Sequence, residues 1–339
     1  MSLSLLSQVT TAARRKPARV FLYAQEKWGK SSWAAHAPGA VFAMTRGEDG
    51  LLTLMNAGRV PPTPHFPQDF HRWGLLRQAT AALRDDEHEF KTFVVDTANG
   101  AARLCAESVC AEHFQNSWVQ FDAYGKGYEV CLEQWIEWLA DLDRLRSERL
   151  MSIILLAHTE VKGFKNPTGA DYDRYAPDMP KKLWSVTHKW SDAILFGTFK
   201  VHEAVTGTGK DKKVKGQGGS QRVLYAGESA AYLAGNRLGL PAEIGCGASA
   251  GEAWANFRNA AAKARAEALA KEKEAKAAKE KGEGKPTSDG ATPSAETPKP
   301  ERIRGVEYDE FDSPIFPNGV PPDAGQTDLF ENSNAGPPH

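Results

Sequence analysis

Glycine, lysine and serine stand side by side at Gly29, Lys30 and Ser31, directly after a short apolar run. Counted back from Ser31, the segment fits the pattern G-x-x-x-x-G-K-[ST], except that Ala24 takes the place of the first glycine. In this pattern backbone N–H groups enclose phosphate, the lysine reaches the β and γ oxygens, and the hydroxyl ligates Mg²⁺. We therefore predict a site for ATP and Mg²⁺. The predicted phosphate-binding loop comprises Ala24, Gln25, Glu26, Lys27, Trp28, Gly29, Lys30, Ser31 and Ser32.

A carboxylate that could complete the metal site ends the apolar run TFVVD at Asp96. A strand that ends in aspartate is common, so this residue carries little weight alone. Together with the phosphate-binding loop, Asp96 is the group expected to hold the magnesium through water. Ser31 and Asp96 are therefore the predicted metal residues.

The elements that position these residues are predicted from apolar runs rich in β-branched or aromatic residues, which alternate with helical patterns. The runs are RVFLYA, AVFAM, TFVVD, SIILLA and AILFGTF, at residues 19–24, 40–44, 92–96, 152–157 and 193–199. This alternation is typical of βαβ units and predicts an α/β fold, with a mostly parallel sheet flanked by helices. Ligands of such sheets bind at the carboxyl ends of the strands.

Two further residues are candidates for the chemistry because they follow predicted strands. Glu48 comes shortly after AVFAM, and His158 comes directly after SIILLA. Thr97, next to Asp96, cannot act as a base. Glu48 stands where ATPases of the RecA class, which this pattern resembles, carry the glutamate that orients the attacking water, so the resemblance implies that role for Glu48. A neutral His158 imidazole can donate a hydrogen bond to the γ-phosphate. The alternatives are a solvated turn residue for Glu48 and a structural histidine, but with Lys30 these two form the predicted catalytic set.

The motifs together resemble the phage-encoded RecA-core ATPases, a family that includes single-strand annealing and recombination proteins. The matching pieces are GKSSWAAHAPGAVF, GEDG, VVDT, YGKGY, AHTEVKGF, DRYAPDMPKK and AGNRLGLP, and they cover residues 19–241. The departure is the loop interior, where Ala24, Lys27 and Trp28 replace the usual small residues. The resemblance implies a RecA-like P-loop NTPase of a phage or prophage, acting in a bacterial cytoplasm. It also implies a homo-oligomeric filament or ring, with ATP between protomers and DNA along the loops after the phosphate-sensing strand.

A candidate surface for single-stranded DNA follows His158 in the segment VKGFKNPTGADYDRYAPDMPKK. Cations there can track phosphates while aromatic rings stack on bases. The predicted DNA-binding residues are Lys162, Phe164, Lys165, Tyr172, Arg174 and Tyr175. Three aspartates dilute the charge of this segment, and its alternative is a solvated loop. A second basic stretch, residues 207–219, lacks aromatics and is expected to be a hairpin tip.

Composition limits the partners and the compartment. Lys and Arg number 42 against 43 Asp and Glu, so no global basic field attracts nucleic acid and a local patch must do so. Four scattered cysteines, none at a Cys-x-x-Cys spacing, indicate free thiols in a reducing cytosol. No apolar run has the length of a membrane span, so we expect a cytoplasmic protein without a membrane partner.

The chain is expected to consist of an N-terminal segment at 1–16, one ATPase domain at 17–250, and two further segments. Residues 251–283 are rich in alanine, lysine and glutamate without an apolar stripe, which indicates a solvated helix or spacer. Residues 284–339 predict a disordered C-terminal tail, whose last part carries eight acidic residues against two arginines. This tail resembles the acidic tips that single-strand-binding proteins use for partners, so such a protein is a candidate partner.

The sequence therefore predicts an ATP hydrolase that binds DNA in phage recombination, annealing, repair or replication. One alternative is a P-loop protein whose nucleotide state controls assembly or partner binding without DNA. Another is a degenerate P-loop in a structural interaction protein, favoured by Ala24 and Trp28.

Overall fold

The computed structural model describes residues 6, 9–10, 16–67, 69–206, 213–282, 307–308 and 314–315. The predicted N-terminal segment and acidic tail therefore lie almost entirely outside the described residues. Within the tail, two short strands, Glu307–Tyr308 and Pro314–Ile315, pair antiparallel to each other.

The main domain alternates strands and helices along the chain. Its strands are β1 Arg19–Ala24, β2 Ala40–Met44, β3 Thr92–Asp96, β4 Ser152–Phe164, β5 Tyr172–Pro177, β6 Ala193–Thr206, β7 Lys213–Tyr225, β8 Gly235–Asn236 and β9 Glu243–Gly245. Its helices are α1 Lys30–Ala34, α2 Gly50–Asn56, α3 Trp73–Asp85, α4 Ala98–Phe114, α5 Trp118–Asp122, α6 Lys126–Glu148, α7 Lys181–Trp190 and α8 Ala250–Gly282.

The central sheet has the strand order β2-β3-β4-β1-β6-β7-β9. The strands from β2 to β6 in this order are parallel to their neighbours, whereas β7 and β9 are antiparallel. The predicted α/β fold with a mostly parallel sheet flanked by helices is confirmed, and all the predicted apolar runs lie in strands.

Both faces of this sheet are buried, which explains why its strands are apolar without alternation. On one face Phe21 and Phe93 belong to the core cluster that includes α3, α4 and α6. On the other face Leu22 and Val94 belong to the cluster that includes α1 and the start of α8. All four cysteines are buried free thiols, as expected. None of the helices in the described part of the chain combines the length and apolarity that a membrane span requires.

The segment after His158 is a β-hairpin and not an irregular loop. Strand β4 continues past the sheet, and its residues Thr159 to Phe164 pair antiparallel with β5, from Pro177 to Tyr172. The polar residues and Gly163 hid this strand from pattern analysis, because the pairing partner and not the apolar content stabilises it.

A second hairpin joins β6 and β7, as expected for the basic stretch at 207–219. Its register runs from Phe196 opposite Tyr225 to Thr206 opposite Lys213, with an irregularity between Phe199 and Val201. The strands are longer than predicted, so the last part of the basic stretch belongs to β7. Residues 207–212 lie outside the described residues.

Helix α8 differs from the expected spacer in its first turns. Trp254 and Phe257 are buried, and both rings lie edge-on to the ring of Trp33 in α1, with centroids 4.7 and 5.2 Å away. With Ala253 and Ala261 they form an apolar face at helical spacing that is only a few turns long. The packed core therefore extends beyond residue 250, and residues 262–274 of α8 are mainly exposed.

Candidate active site

The phosphate-binding loop leaves the sheet at Ala24 and enters α1 at Lys30. Gly29, the residue before the helix, has φ 106° and ψ 38°, a left-handed conformation that glycine adopts without steric cost. Ala24 is the last residue of β1, is fully buried, and is not among the residues with positive φ. Alanine in the first glycine position therefore causes no backbone strain.

The side chains of the loop separate into two groups. Glu26 and Lys27 are exposed, whereas Trp28 is buried beneath the loop. Ser32 lies in the first turn of α1 and is half-buried. The bulky residue of the loop therefore belongs to the core and leaves the outer side of the loop open.

Ser31 and Asp96 meet at the end of β3. The Ser31 hydroxyl donates a hydrogen bond of 2.5 Å to Oδ2 of Asp96, whose residue is 3% exposed. Burial raises the pKa of Asp96 to about 6, although the hydrogen bond from Ser31 opposes this shift. A hydroxyl and a carboxylate are oxygen ligands of the kind Mg²⁺ prefers, and a cation would offset the buried negative charge. These residues fit the predicted magnesium ion.

Lys30 is also removed from water. Burial lowers the pKa of its ammonium group, and the nearby carboxylates of Asp96, Glu48 and Glu26 act in the opposite direction. Among the described residues no group of three or more His, Cys, Asp or Glu side chains could hold a metal by itself. A cation at Ser31 and Asp96 would therefore need further oxygen ligands, which phosphate and water supply.

His158 connects Glu48 to Lys30. Its Nε2 is 2.8 Å from Oε1 of Glu48, and its Nδ1 is 3.5 Å from Nζ of Lys30. An ammonium group only donates hydrogen bonds, so Nδ1 accepts and Nε2–H donates to Glu48. This hydrogen bond is the largest cause that lowers the pKa of Glu48, so its carboxylate is ionised at neutral pH. The predicted base, sensor and lysine thus form one hydrogen-bonded chain.

The sheet brings these residues together because neighbouring strands end at one edge. Met44 of β2, Asp96 of β3 and Leu156 of β4 are in register, and Ala24 of β1 lies opposite His158. Glu48 reaches this edge through a turn in which its N–H donates to the carbonyl of Thr45. Lys30, Ser31, Glu48, Asp96 and His158 were predicted from separate motifs, and the structure places all of them at this edge.

Sequence analysis missed two supporting residues. The Thr97 hydroxyl lies 3.4 Å from Oε1 of Glu48 and accepts a hydrogen bond from Gly100 N–H, which caps α4. Oδ1 of Asn99 accepts from the backbone N–H of His158 at 3.2 Å. Thr97 directly follows Asp96 and Asn99 lies three residues after it, and this closeness to the end of β3 is the signal that could have identified them.

All six predicted DNA-binding residues belong to the β4–β5 hairpin, but the side chain of one of them packs inside the domain. We call Lys162, Phe164, Lys165, Tyr172 and Arg174 the hairpin surface. The guanidinium group of Arg174 lies over the Phe164 ring, 4.0 Å from its centroid, and the centroids of the Phe164 and Tyr172 rings are 5.2 Å apart. Lys162 pairs with Glu160, and Lys165, whose side chain is 94% exposed, pairs with Asp171.

Tyr175 is the exception because it packs inside the domain. Its ring stacks on Phe196 with a centroid distance of 5.1 Å, and its hydroxyl accepts a hydrogen bond from Nε2 of Gln25. Its backbone also bonds to Ala231 and Leu233. The contacts of Tyr175 are therefore those of a packing residue between the hairpin and the phosphate-binding loop.

The family described as an AAA domain matches residues 16–238, well over half of the chain. The chain belongs to this family. It is thus an AAA-type P-loop domain, a nucleotide-binding fold of ATPases, and the matched residues include the whole edge at which Lys30, Asp96 and His158 meet. No curated protein matches the chain. Among solved structures, that of "the RadB recombinase" is similar over 62% of this chain and 81% of that chain, with 12% sequence identity and a TM-score of 0.34.

Proposed function

We propose that this AAA-domain protein is an ATP- and Mg²⁺-dependent ATPase that binds single-stranded DNA and acts in phage recombination, annealing, repair or replication. The observation that carries the ATPase assignment is the chain from Glu48 through His158 to Lys30, beside the Ser31–Asp96 pair. It joins a base, a phosphate-contacting group and a cation at the edge where α/β sheets bind ligands.

The residues of the loop bind and orient the nucleotide. Gly29 and the first N–H groups of α1 face the phosphates, and Lys30 neutralises the β and γ oxygens. Ser31 and Asp96 would hold Mg²⁺, which supplies charge stabilisation for the transferred phosphoryl group. Asp96 gives up its proton most readily when such a cation is near, because burial alone disfavours its charge.

Glu48 acts as the general base. Its carboxylate accepts a proton from the water that attacks the γ-phosphate, and the hydroxyl of Thr97 helps to hold it in place. His158 donates to Glu48 in this structure, so a γ-phosphate that accepts the Nε2–H instead would release the carboxylate for the water. Base assistance of this kind contributes about 10²- to 10⁴-fold in rate.

The hairpin surface is the proposed DNA contact. Strand β4 runs without interruption from His158 into this surface, so a change at the phosphate can be passed along one strand. The rings of Phe164 and Tyr172 can stack on bases, and each stacked base contributes about 1–3 kcal/mol to single-strand binding. We further propose a ring or filament of identical subunits in the host cytoplasm, and a single-strand-binding protein as a partner of the acidic tail.

A second candidate function is nucleotide-controlled assembly without DNA. The pairing of Lys162 with Glu160 and of Lys165 with Asp171 favours it, because these ion pairs reduce the positive charge of the hairpin surface. In that case ATP would bind and be hydrolysed at a rate indifferent to DNA.

The test is the rate of phosphate release with Mg²⁺ and ATP, with and without single-stranded DNA, for the full chain. Lys30→Ala is the matched control for contaminating ATPases. We expect hydrolysis that requires Lys30 and rises with DNA. A Lys30-dependent rate unaffected by DNA, together with no DNA binding, would establish the second candidate, and a lack of ATP binding would reject both.

A further inference from the structure

The buried indole of Trp28, in the phosphate-binding loop, packs closely against β6. Trp28 is 2% exposed, and its Nε1 donates a hydrogen bond of 3.0 Å to the carbonyl of Thr198. Its ring lies against Gly197, where an added Cβ would be 2.7 Å from two ring atoms and 2.9 Å from Cβ of Ala24. Only a residue without a side chain leaves room for the indole at this position.

The first part of the loop is fixed to the same two residues of β6. The N–H of Gln25 donates to the carbonyl of Gly197 at 3.1 Å, and the Thr198 hydroxyl donates to Oε1 of Gln25 at 2.7 Å. Gln25 and Trp28 are also joined within the loop, because Trp28 N–H donates to the Gln25 carbonyl. Gln25 and Trp28 thus both contact Gly197 and Thr198.

Trp28 directly precedes Gly29 and Lys30, so its position sets where the phosphate-binding groups lie. Loops rich in small residues hold their shape by backbone hydrogen bonds, whereas this loop has a large ring beneath it. A displacement of reacting groups by about 1 Å can cost 10²-fold in rate, so the fit of this ring has consequences for the site above it.

We propose that Trp28 is a positioning residue, and that Gly197 and Thr198 form its seat, which holds the phosphate-binding loop in the geometry that binds nucleotide. This inference rests on the proposed ATP binding. It also gives the unusual loop interior a function: the indole supplies the rigidity that the missing small residues would otherwise provide.

Three variants of the full chain test the seat. Trp28→Phe keeps a ring but removes the hydrogen bond to Thr198. Gly197→Ala adds a methyl group that would clash with the ring of Trp28 in its present position. Trp33→Phe is the matched control, since Trp33 is 1% exposed in the same core cluster but packs on α8, and its Nε1 has no hydrogen-bond partner. Each is measured for the Kd of a fluorescent ATP analogue, for KM and kcat, and for urea unfolding.

We expect Trp28→Phe to weaken ATP binding about three- to tenfold, the effect of one lost hydrogen bond. Gly197→Ala should weaken binding by about tenfold or more, because the ring must move. Both should raise KM more than they lower kcat, while Trp33→Phe changes stability but leaves the Kd for ATP within about twofold.

Equal Kd values for ATP in wild type, Trp28→Phe and Gly197→Ala would overturn the seat as a positioning device, whatever happens to stability. A wild-type chain that fails to bind ATP would instead reject the proposed function. If Gly197→Ala does not fold, Trp28→Phe alone decides between these outcomes.

Discussion

The two edges of the central sheet hold their charged residues in different ways. At the amino edge Arg19 pairs with Asp192 at 2.7 Å and with Asp143 at 3.1 Å, while Arg146 pairs with Asp192 at 3.1 Å. Burial lowers the pKa of Arg19, but the two carboxylates outweigh it and the pKa is raised. For Arg146 burial outweighs the carboxylates, and its pKa is lowered although it keeps an ion-pair partner. At the carboxyl edge burial dominates, so the pKa of Lys30 is lowered and that of Asp96 is raised to about 6.

The difference separates a structural charge cluster from the proposed binding site. Paired charges at the amino edge join the starts of β1 and β6 to the end of α6, and they need nothing further. Lys30 and Asp96 are both shifted toward their neutral forms, so each would gain stability from a ligand that brings the opposite charge. A phosphate with a bound cation has both charges, and groups with such shifts are candidates for function.

The largest expected effect is at the carboxyl edge. Lys30→Ala should reduce ATP hydrolysis by about 10³-fold or more, because the phosphate loses its main cation and the developing charge is no longer stabilised. Lys91→Ala, at the amino edge beside Gly39, is the control and should keep the wild-type rate. Phosphate release measures the hydrolysis rate of both variants, and an equal loss of rate in Lys30→Ala and Lys91→Ala would contradict the difference between the two edges.

Glu48→Gln should slow hydrolysis about 10²-fold or more while the variant still binds ATP, because the amide cannot take a proton from water. Glu107→Gln is the control, since Glu107 lies nearby in an ion pair with Arg46. Single-turnover rates and ATP affinity are the measurements. A Glu48→Gln rate equal to wild type would exclude this residue as the base.

At the amino edge the expected effect of losing a carboxylate is on stability. Asp192→Asn should lower the free energy of unfolding by roughly 3 kcal/mol, because Arg19 and Arg146 lose their common partner while partly buried. Urea denaturation at neutral pH checks this value. An unchanged midpoint would show that the cluster does not stabilise the sheet.

In the absence of nucleotide, Asp96→Asn is expected to raise the free energy of unfolding, whereas Asp192→Asn lowers it. The pKa of Asp96 in the folded chain, about 6, lies above its ordinary value of 3.8, so the folded state binds more protons between these values. Stability therefore falls as the pH rises from about 4 to about 6, by up to roughly 3 kcal/mol, and Asp96→Asn removes this loss. Urea titrations at pH 5 and pH 8 should show the variant more stable than wild type at pH 8. If Asp96→Asn is less stable than wild type at pH 8, the ionised Asp96 carboxylate does not destabilise the carboxyl edge.

The smallest expected effect is at the hairpin surface. Replacing Lys162 and Lys165 by alanine should weaken single-stranded DNA binding and reduce its log–log salt slope by about 0.7 for each lost phosphate contact. The control replaces two lysines of the solvated part of α8, Lys263 and Lys271. Fluorescence anisotropy at several salt concentrations measures the slope, and identical slopes would place the DNA elsewhere.

Much of the sheet and of the site was predictable because the signals are local. The runs around Phe21, Phe42, Phe93 and Ile154 are apolar on both faces, so they predict buried strands without any knowledge of their neighbours. Lys30 and Ser31 follow Gly29 directly, and Asp96 ends its strand. The roles of these side chains remain predictions, whereas their proximity is now seen.

Other features depend on partners that are distant in the chain. Thr159 to Phe164 extend β4 only because β5 pairs with them, and the segment itself has no strand pattern. Trp254 and Phe257 appear in an alanine-rich helix, and they are core residues only because Trp33 lies opposite. Neither of these partners, β5 or Trp33, can be recognised from the local sequence around the residues that contact them.

By itself the sequence determined the five apolar strands of the sheet and the residues at their ends, since periodicity and spacing along the chain encode them. The phosphate-binding role of the loop stays a prediction. Only the tertiary structure decided that His158 links Glu48 to Lys30, and that Trp28 is seated on Gly197. These contacts join residues from different strands. Their geometry depends on strand order and register, which packing of the whole sheet decides.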